Sequence, residues 1–275
     1  MSALVSTPAI RMRGVTAGYD GAPAVESVDL TIERGALVAV FGPNGGGKTT
    51  LLKLIAGLLR PWQGSVEVLG GAPGAAARRI AYVPQAELVD WSFPVSVRDV
   101  AMMGRYPALG PLRQPGRADR DAVDAALDRV GMLAQARTQI GRLSGGQRRR
   151  AFLARAIAAE AELYLLDEPV TGVDVPTQEE LMELLDAESQ AGRTVVATTH
   201  DLAAASRHFR HVVGVNRRIQ ADGPVSLLGD PDVLRRTYGG HFLMIGHHGV
   251  LLDDAHHHDA SSGAERHFHD GGTSP

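Results

Sequence analysis

The residues best suited to chemistry form a glycine-rich segment, Gly42-Pro43-Asn44-Gly45-Gly46-Gly47-Lys48-Thr49. It has the spacing G-x-x-x-x-G-K-T and lies between a strand-like apolar run at 37–41 and a helix-like run at 49–59. Glycines allow backbone N–H groups to converge on closely spaced phosphate oxygens, and the following helix adds partial positive charge. Lys48 is expected to reach the β- and γ-phosphates, and the Thr49 hydroxyl to hold Mg²⁺. The segment therefore predicts a loop that binds a nucleoside triphosphate.

An acidic pair, Asp167 and Glu168, follows the apolar run 163–166. Such a run predicts a buried strand, and ligands bind where the strands of an α/β sheet end. Asp167 is placed to hold Mg²⁺ through water, and Glu168 to orient or deprotonate an attacking water. The alternative is an acidic pair on the surface. Together with the phosphate loop, the pair predicts ATP hydrolysis.

A third segment, Leu143-Ser144-Gly145-Gly146-Gln147, offers a second anion site. Ser144 and the glycine amides open a predicted helix at 148–159, whose N-terminal end favours phosphate. Few phosphate-loop proteins carry this signature, and with it the chain resembles the nucleotide-binding subunit of an ATP-binding cassette (ABC) transporter. The resemblance implies a homodimer in which two subunits sandwich two ATP molecules head to tail.

Further positions match that family one by one. Gln85 resembles the Q-loop glutamine, Asp174 lies in a D-loop-like segment, His200 resembles the switch histidine, and Tyr19 falls where an aromatic ring stacks on adenine. The resemblance makes Glu168, His200 and Gln85 the catalytic residues. It assigns Mg²⁺ to Thr49, Gln85 and Asp167. The residues it implies for nucleotide contact are Tyr19, Gly42, Pro43, Asn44, Gly45, Gly46, Gly47, Lys48, Thr49, Thr50, Ser144, Gly145, Gly146, Gln147 and Asp174. Gly46 stands where Ser or Ala is more usual.

The elements around these residues predict an α/β fold. Strands that alternate with helices imply a mainly parallel sheet. Before the phosphate loop, residues 9–40 read as short strands, and a capping box at Ser96 and Asp99 opens a helix-rich insertion. The resemblance implies a P-loop ABC-type domain at 1–240. It would have a RecA-like core, an antiparallel β subdomain and an inserted α-helical subdomain at about 86–155.

Composition limits the classes of partner and of metal site that the protein can have. The net charge of −3 gives no broadly basic surface for nucleic acid, and the absence of cysteine excludes disulfides and cysteine-ligated metals. No apolar run reaches the roughly 20 residues that cross a bilayer. If this protein serves a membrane, other chains must therefore cross it. The resemblance implies integral membrane permease subunits, an extracytoplasmic substrate-binding protein as an indirect partner, and a location at the cytoplasmic face of the membrane.

The stretch 89–106, which includes Trp91 and Phe93, bears on the cargo. In transporters of this kind it borders the groove where the membrane subunit docks, and here it resembles the ATPases of manganese, zinc and iron importers. The alternative is that both aromatic residues only pack. Two rival functions stay open: an importer of chelated iron or a cobalamin-like cofactor, and an assembly ATPase acting on soluble partners.

Residues 241–275 contain eight of the eleven histidines, among them His247-His248 and His256-His257-His258. Imidazole binds zinc and similar ions, so the tail could bind Zn or Mn as a weak buffer or sensor. Low hydrophobicity past Leu252 favours disorder, and the whole segment 241–275 is expected to be a histidine-rich, disordered tail. The alternative is a solvated tail that binds metal only incidentally.

Overall fold

The computed structural model describes residues 7–85, 93–110 and 112–239, and the backbone of 242–245 and 249–252. Its strands are β1 (Ile10–Tyr19), β2 (Ala22–Ile32), β3 (Leu37–Phe41), β4 (Gln63–Val68), β5 (Ile80–Val83), β6 (Leu163–Leu166), β7 (Thr194–Thr198), β8 (His211–Asn216), β9 (Arg218–Pro224), β10 (Phe242–Ile245) and β11 (Gly249–Leu252). Its helices are α1 (Lys48–Ile55), α2 (Pro73–Ala76), α3 (Val97–Met102), α4 (Tyr106–Leu109), α5 (Arg117–Arg129), α6 (Gly145–Ala158), α7 (Val175–Gln190), α8 (Leu202–His208) and α9 (Pro231–Tyr238). By its internal contacts the chain divides into Met1–Gly240 and His241–Pro275.

A six-stranded sheet in the first unit positions the predicted chemistry. Its strand order is β5-β6-β7-β3-β8-β9, and every neighbouring pair is parallel except β8 with β9. Every residue of β3, β6 and β7 is buried, which explains why β3 and β6 read as continuous apolar runs and why β7 is apolar at 195–197. Because the strands are parallel, the segments that follow β3, β5, β6 and β7 all leave at one edge of the sheet, the edge formed by the carboxyl ends of these strands. The predicted parallel core is confirmed.

A smaller antiparallel sheet has the order β2-β1-β4. Its buried face continues the core of the larger sheet, because Ile10 and Val28 belong to the same apolar cluster as Leu51 of α1 and Leu165 of β6. Predicted as short strands, β1 and β2 run for 10 and 11 residues and accommodate several register shifts. The predicted antiparallel β portion is confirmed.

Helices α3, α5 and α6 pack on one another. In the sequence they lie between β5 and β6. The predicted capping box is present at α3, where the Ser96 N–H donates to Asp99 Oδ2 at 2.9 Å and the Asp99 N–H donates to Ser96 Oγ at 3.2 Å. Helix α6 extends to Ala158, three residues past the expected end of the insertion at 155. Residues 86–92, and with them Trp91, lie outside the described residues. In the part of the chain that is described, no helix combines the length and hydrophobicity needed to span a membrane.

In the second unit, β10 and β11 pair as an antiparallel hairpin. This departs from the expectation of disorder over the whole of 241–275. The reason is local: two apolar runs, 242–245 and 249–252, flank a short connection, and such runs favour strand pairing. The histidine pairs and triplets of the tail lie outside the described residues.

Candidate active site

The glycine-rich loop leaves β3 and enters α1 through positions that exclude side chains. A Cβ atom at Gly42 (φ +148°) would lie 2.0 Å from the carbonyl oxygen of Val215. At Gly47 (φ +100°) it would lie 2.6 Å from Val25 Cγ1 and 2.7 Å from the carbonyl oxygen of Ala24. Glycine is therefore required at both positions by close packing as well as by backbone conformation. The loop is held between β2 and β8.

Lys48 lies inside this loop, with 7% of its surface exposed. Its Nζ donates to the carbonyl oxygens of Gly42 at 2.8 Å and Pro43 at 3.0 Å. Burial lowers the pKa of Lys48, while the negative charges of Glu168 and Asp167 act in the opposite direction. Thr49 and Thr50 follow in the first turn of α1, half-buried and buried respectively. The loop thus concentrates a cation and helix-end N–H groups at the edge of the sheet, which suits a polyphosphate.

Asp167, one residue past β6, is the most buried carboxylate at this edge, at 3% exposure. Its Oδ1 accepts a hydrogen bond from Thr198 Oγ1 at 2.7 Å. Its Oδ2 is buried and, among the described residues, has no hydrogen-bond partner. A buried carboxylate oxygen needs a partner, and a hard divalent cation or its coordinated water supplies one. The site therefore fits Mg²⁺ at Asp167.

Glu168 adopts a left-handed backbone conformation, with φ +51°. Its N–H donates to Thr198 Oγ1 at 2.9 Å, and its Oε2 accepts from Thr171 Oγ1 at 3.0 Å. His200 Nδ1 lies 3.6 Å from the same Oε2. The interaction with His200 is the main cause that lowers the pKa of Glu168, and the same interaction raises the pKa of His200. Two candidate catalytic side chains are thereby brought into contact.

The structure places other predicted residues around this centre. Gln85 follows β5, whose neighbour in the sheet is β6, so it leaves at the same edge as Asp167. Tyr19 ends β1 with 44% of its surface exposed, and Lys53 Nζ lies 5.5 Å from the centre of its ring. One face of the tyrosine ring is thus occupied by a cation.

The signature segment forms the start of α6. The Ser144 N–H donates to Gln147 Oε1 at 3.0 Å, and the Gln147 N–H donates to Ser144 Oγ at 3.3 Å. These two bonds make a capping box that leaves the amides of Gly145 and Gly146 at the helix start. Asp174 caps α7 with a single hydrogen bond, its side chain accepting from the Thr177 N–H at 3.2 Å. Both side chains therefore have a structural role in the single chain.

Two hydroxyl groups at the centre, those of Thr171 and Thr198, were not predicted. Thr171 belongs to the segment after the acidic pair, where a nearby hydroxyl could have drawn attention. Thr198 reads only as the end of a buried strand. The contact between Thr198 and Asp167 depends on β6 lying beside β7, and local sequence patterns do not specify that order.

Comparisons with known proteins agree with the resemblance that the sequence motifs indicate. The family described as ABC transporter matches residues 25–171. The manganese transport system ATP-binding protein of Synechocystis sp. is 46% identical over 243 residues, covering 87% of this chain and 94% of that relative. The chelated iron transport system membrane protein of Yersinia pestis is 41% identical, covering 90% of this chain and 84% of that relative. A solved inward-facing ABC transporter of metal-chelate type superposes with a TM-score of 0.74 at 29% identity, covering 84% and 89% of the two chains.

Proposed function

This chain belongs to the ABC transporter family, and from that premise we propose that it is the ATP-hydrolysing subunit of an importer for a divalent metal ion. The observation that carries the proposal is the 46% identity to the manganese transport relative across 94% of that protein. The cargo is proposed to be Mn, Zn or Fe. The family itself establishes an ATP-binding ATPase domain.

A second candidate is import of a metal chelate. It is favoured by the 41% identity to the chelated iron transport protein and by the superposition on a transporter of metal-chelate type. The ATPase core is the same for both candidates, since ATP chemistry does not depend on the cargo. The two differ in whether uptake requires a chelator.

We assign the reaction to the centre at the sheet edge. The loop amides and Lys48 hold the phosphates, and Glu168 orients the attacking water, with His200 beside it. The oxygen Oδ2 of Asp167, with Thr49 and Gln85, would hold Mg²⁺. When bound, Mg²⁺ shields phosphate charge. Support comes from the burial of Lys48 and Asp167 and from the short contacts of Glu168.

The proposed assembly is a homodimer with ATP at two interfaces, bound at the cytoplasmic face of the membrane to integral permease subunits. A substrate-binding protein outside the membrane would deliver the cargo to the permease. Supporting the contact with the permease, Phe93 and Tyr106, which lie within the predicted docking stretch 89–106, expose 59% and 51% of their surfaces. Aromatic residues are enriched at protein–protein interfaces relative to the rest of the surface.

The histidine-rich tail is proposed to bind Zn or Mn weakly as a buffer or sensor. Support comes from sequence alone: eight histidines and several aspartates between 241 and 275. Zinc titration of the full chain and of a chain ending at residue 240 tests the proposal. Equal stoichiometry in both would contradict it.

Cargo is tested by uptake of Mn, Zn and Fe, and of an iron chelate, into cells that lack this chain. The wild-type gene should restore uptake of a free ion, whereas Glu168→Gln should not. Restoration only of chelate uptake would select the second candidate. Restoration of neither would overturn both.

Turnover is tested separately with the same variant. Glu168→Gln should retain ATP affinity, because the phosphate loop is unchanged, and should lose roughly 10² to 10⁴ in the ATPase rate, the usual scale of general-base assistance. Steady-state phosphate release measures this. Wild-type turnover in the variant would refute the role of Glu168.

A further inference from the structure

Thr198 is a completely buried polar residue at the end of β7, with 0% of its surface exposed. The three residues before it, 195–197, are apolar. A hydroxyl group in such a place is costly unless it is hydrogen-bonded. Its two partners are the reaction's own groups: Asp167 Oδ1 at 2.7 Å and the Glu168 N–H at 2.9 Å.

Sheet register explains this juxtaposition. Strands β6 and β7 are parallel, with Leu166 beside Ala197. The next residues along the two strands, Asp167 and Thr198, therefore lie side by side, and neighbouring positions of a parallel pair place their side chains on one face of the sheet. Contact between the two is consequently a property of the backbone rather than of a mobile loop.

The direction of each hydrogen bond is fixed by chemistry. A backbone N–H can only donate, so the Thr198 oxygen accepts from Glu168. The hydroxyl has one hydrogen, and it donates this hydrogen to Asp167 Oδ1, because a carboxylate oxygen can only accept. Oδ2, which is buried and without a hydrogen-bond partner among the described residues, is therefore the oxygen with all of its acceptor positions open to a metal ion or its water.

The same hydroxyl holds the backbone of Glu168, whose φ of +51° is unusual for a residue with a side chain. From that conformation the Glu168 carboxylate reaches the Thr171 hydroxyl at 3.0 Å and His200 at 3.6 Å. A single buried group therefore connects the metal-side carboxylate to the backbone of the residue proposed to orient water.

We propose that Thr198 is a positioning residue for ATP hydrolysis, which selects the Asp167 oxygen that faces Mg²⁺ and fixes the direction of the Glu168 side chain. The inference rests on the proposed Mg²⁺ role of Asp167 and does not depend on which metal is transported. Outer-shell hydrogen bonds of this kind orient metal-binding carboxylates, and their loss costs about 10- to 100-fold in metal affinity or activity.

The test compares Thr198→Val, which removes the hydroxyl at similar volume, with Thr198→Ser, which retains it. A fluorescent ATP analogue is titrated into the full chain in EDTA and at increasing Mg²⁺. Thr198→Val should bind the nucleotide as wild type does in EDTA. It should need about 10-fold more Mg²⁺ for the half-maximal change in nucleotide binding, and its ATPase turnover should fall by about 10- to 100-fold. Thr198→Ser should keep the wild-type Mg²⁺ requirement and turnover.

Thr194→Val is a matched control at the other end of the same strand. Thr194 is also buried, and its hydroxyl oxygen accepts from the Gly35 N–H at 3.1 Å, away from the acidic pair. It should change thermal stability without changing the Mg²⁺ requirement. If Thr198→Val does not fold, Thr198→Ala removes the same hydroxyl without added bulk and replaces it in the titration.

An unchanged Mg²⁺ requirement in a folded hydroxyl-free variant would overturn the inference, as would a defect of equal size in Thr198→Ser. Wild-type binding that does not respond to Mg²⁺ would overturn the Mg²⁺ role of Asp167 and this inference with it. Failure of metal uptake would affect neither, so the outcomes remain distinguishable.

Discussion

Among single residues, Glu168 and His200 form a pair of titratable groups whose pKa values depend on each other. Contact with His200 lowers the pKa of Glu168 from 4.5, and contact with Glu168 raises the pKa of His200 from 6.5. The favourable interaction is therefore complete between those two ordinary values. It is lost as the pH falls through the lowered pKa of Glu168, and again as the pH rises through the raised pKa of His200.

This coupling predicts that Glu168→Gln lowers the pKa of His200 toward its ordinary value, because a neutral amide no longer favours the imidazolium. NMR titration of the His200 ring protons in the nucleotide-free chain measures the change. Glu179→Gln is the control, because it removes a carboxylate that lies 2.9 Å from a different histidine, His208. It should leave the His200 titration unchanged. An unchanged His200 titration in Glu168→Gln would mean that the two side chains do not interact in solution.

At the scale of elements, α7 begins with a residue that has two candidate roles. Asp174 caps the helix through the Thr177 N–H, and the family resemblance also places it at the nucleotide interface. Asparagine caps a helix about as well as aspartate, whereas alanine costs about 1 kcal/mol. Substitution by each residue therefore separates the cap from the interface.

We expect Asp174→Ala to lower the free energy of unfolding by about 1 kcal/mol and Asp174→Asn to leave it almost unchanged, while both reduce ATPase activity. Denaturant unfolding and phosphate release measure the two effects. Asp230 caps α9 by accepting from the Asp232 N–H at 2.8 Å, so Asp230→Ala is the control that loses stability and keeps activity. Full activity in a stable Asp174→Asn protein would restrict Asp174 to the capping role.

Element bounds could be predicted where burial and caps agree. Strand β3 has its predicted bounds, because five buried apolar residues end at Gly42. Helix α1 was predicted to reach residue 59 and ends at Ile55, since Gly57 adopts φ +73°. Helix α7 begins at Val175, because Asp174 caps it and proline is tolerated in the first turn.

The candidate site could be predicted only in part. Lys48, Asp167 and Glu168 carry recognisable spacing, and the structure brings their segments to one sheet edge. Contacts that depend on strand order could not be predicted from the sequence. Thr198 contacts Asp167 because β6 and β7 are neighbours in the sheet. Local patterns specify strands but not which strands pair, so a residue whose role comes from pairing has no sequence signal of its own.

At the scale of the whole molecule, the proposed head-to-tail dimer would use two phosphate-binding sites of each chain. One is the loop around Lys48, and the other is the start of α6. Within one protomer, the Ser144 N–H donates to Gln147 and the Ser144 hydroxyl oxygen accepts from the Gln147 N–H, so the capping box does not use the hydroxyl hydrogen. A phosphate from a partner would therefore meet that hydroxyl, the amides of Gly145 and Gly146 and the helix end. ATP would favour the closed dimer because only that state uses both ends.

This picture predicts how charge at the start of α6 affects dimerisation. Aspartate and asparagine both cap helices well, but aspartate adds a negative charge where the γ-phosphate would approach. In a Glu168→Gln background, in which ATP hydrolysis is expected to be slow, Ser144→Asn should still dimerise with ATP. Ser144→Asp should need about 10-fold or more protein, the concentration ratio that 1.4 kcal/mol of repulsion produces. Sedimentation velocity with and without ATP measures this, and thermal unfolding checks that both variants fold. Equal ATP-dependent dimerisation of the two variants would show that the start of α6 does not face the nucleotide, and the head-to-tail arrangement would have to be abandoned.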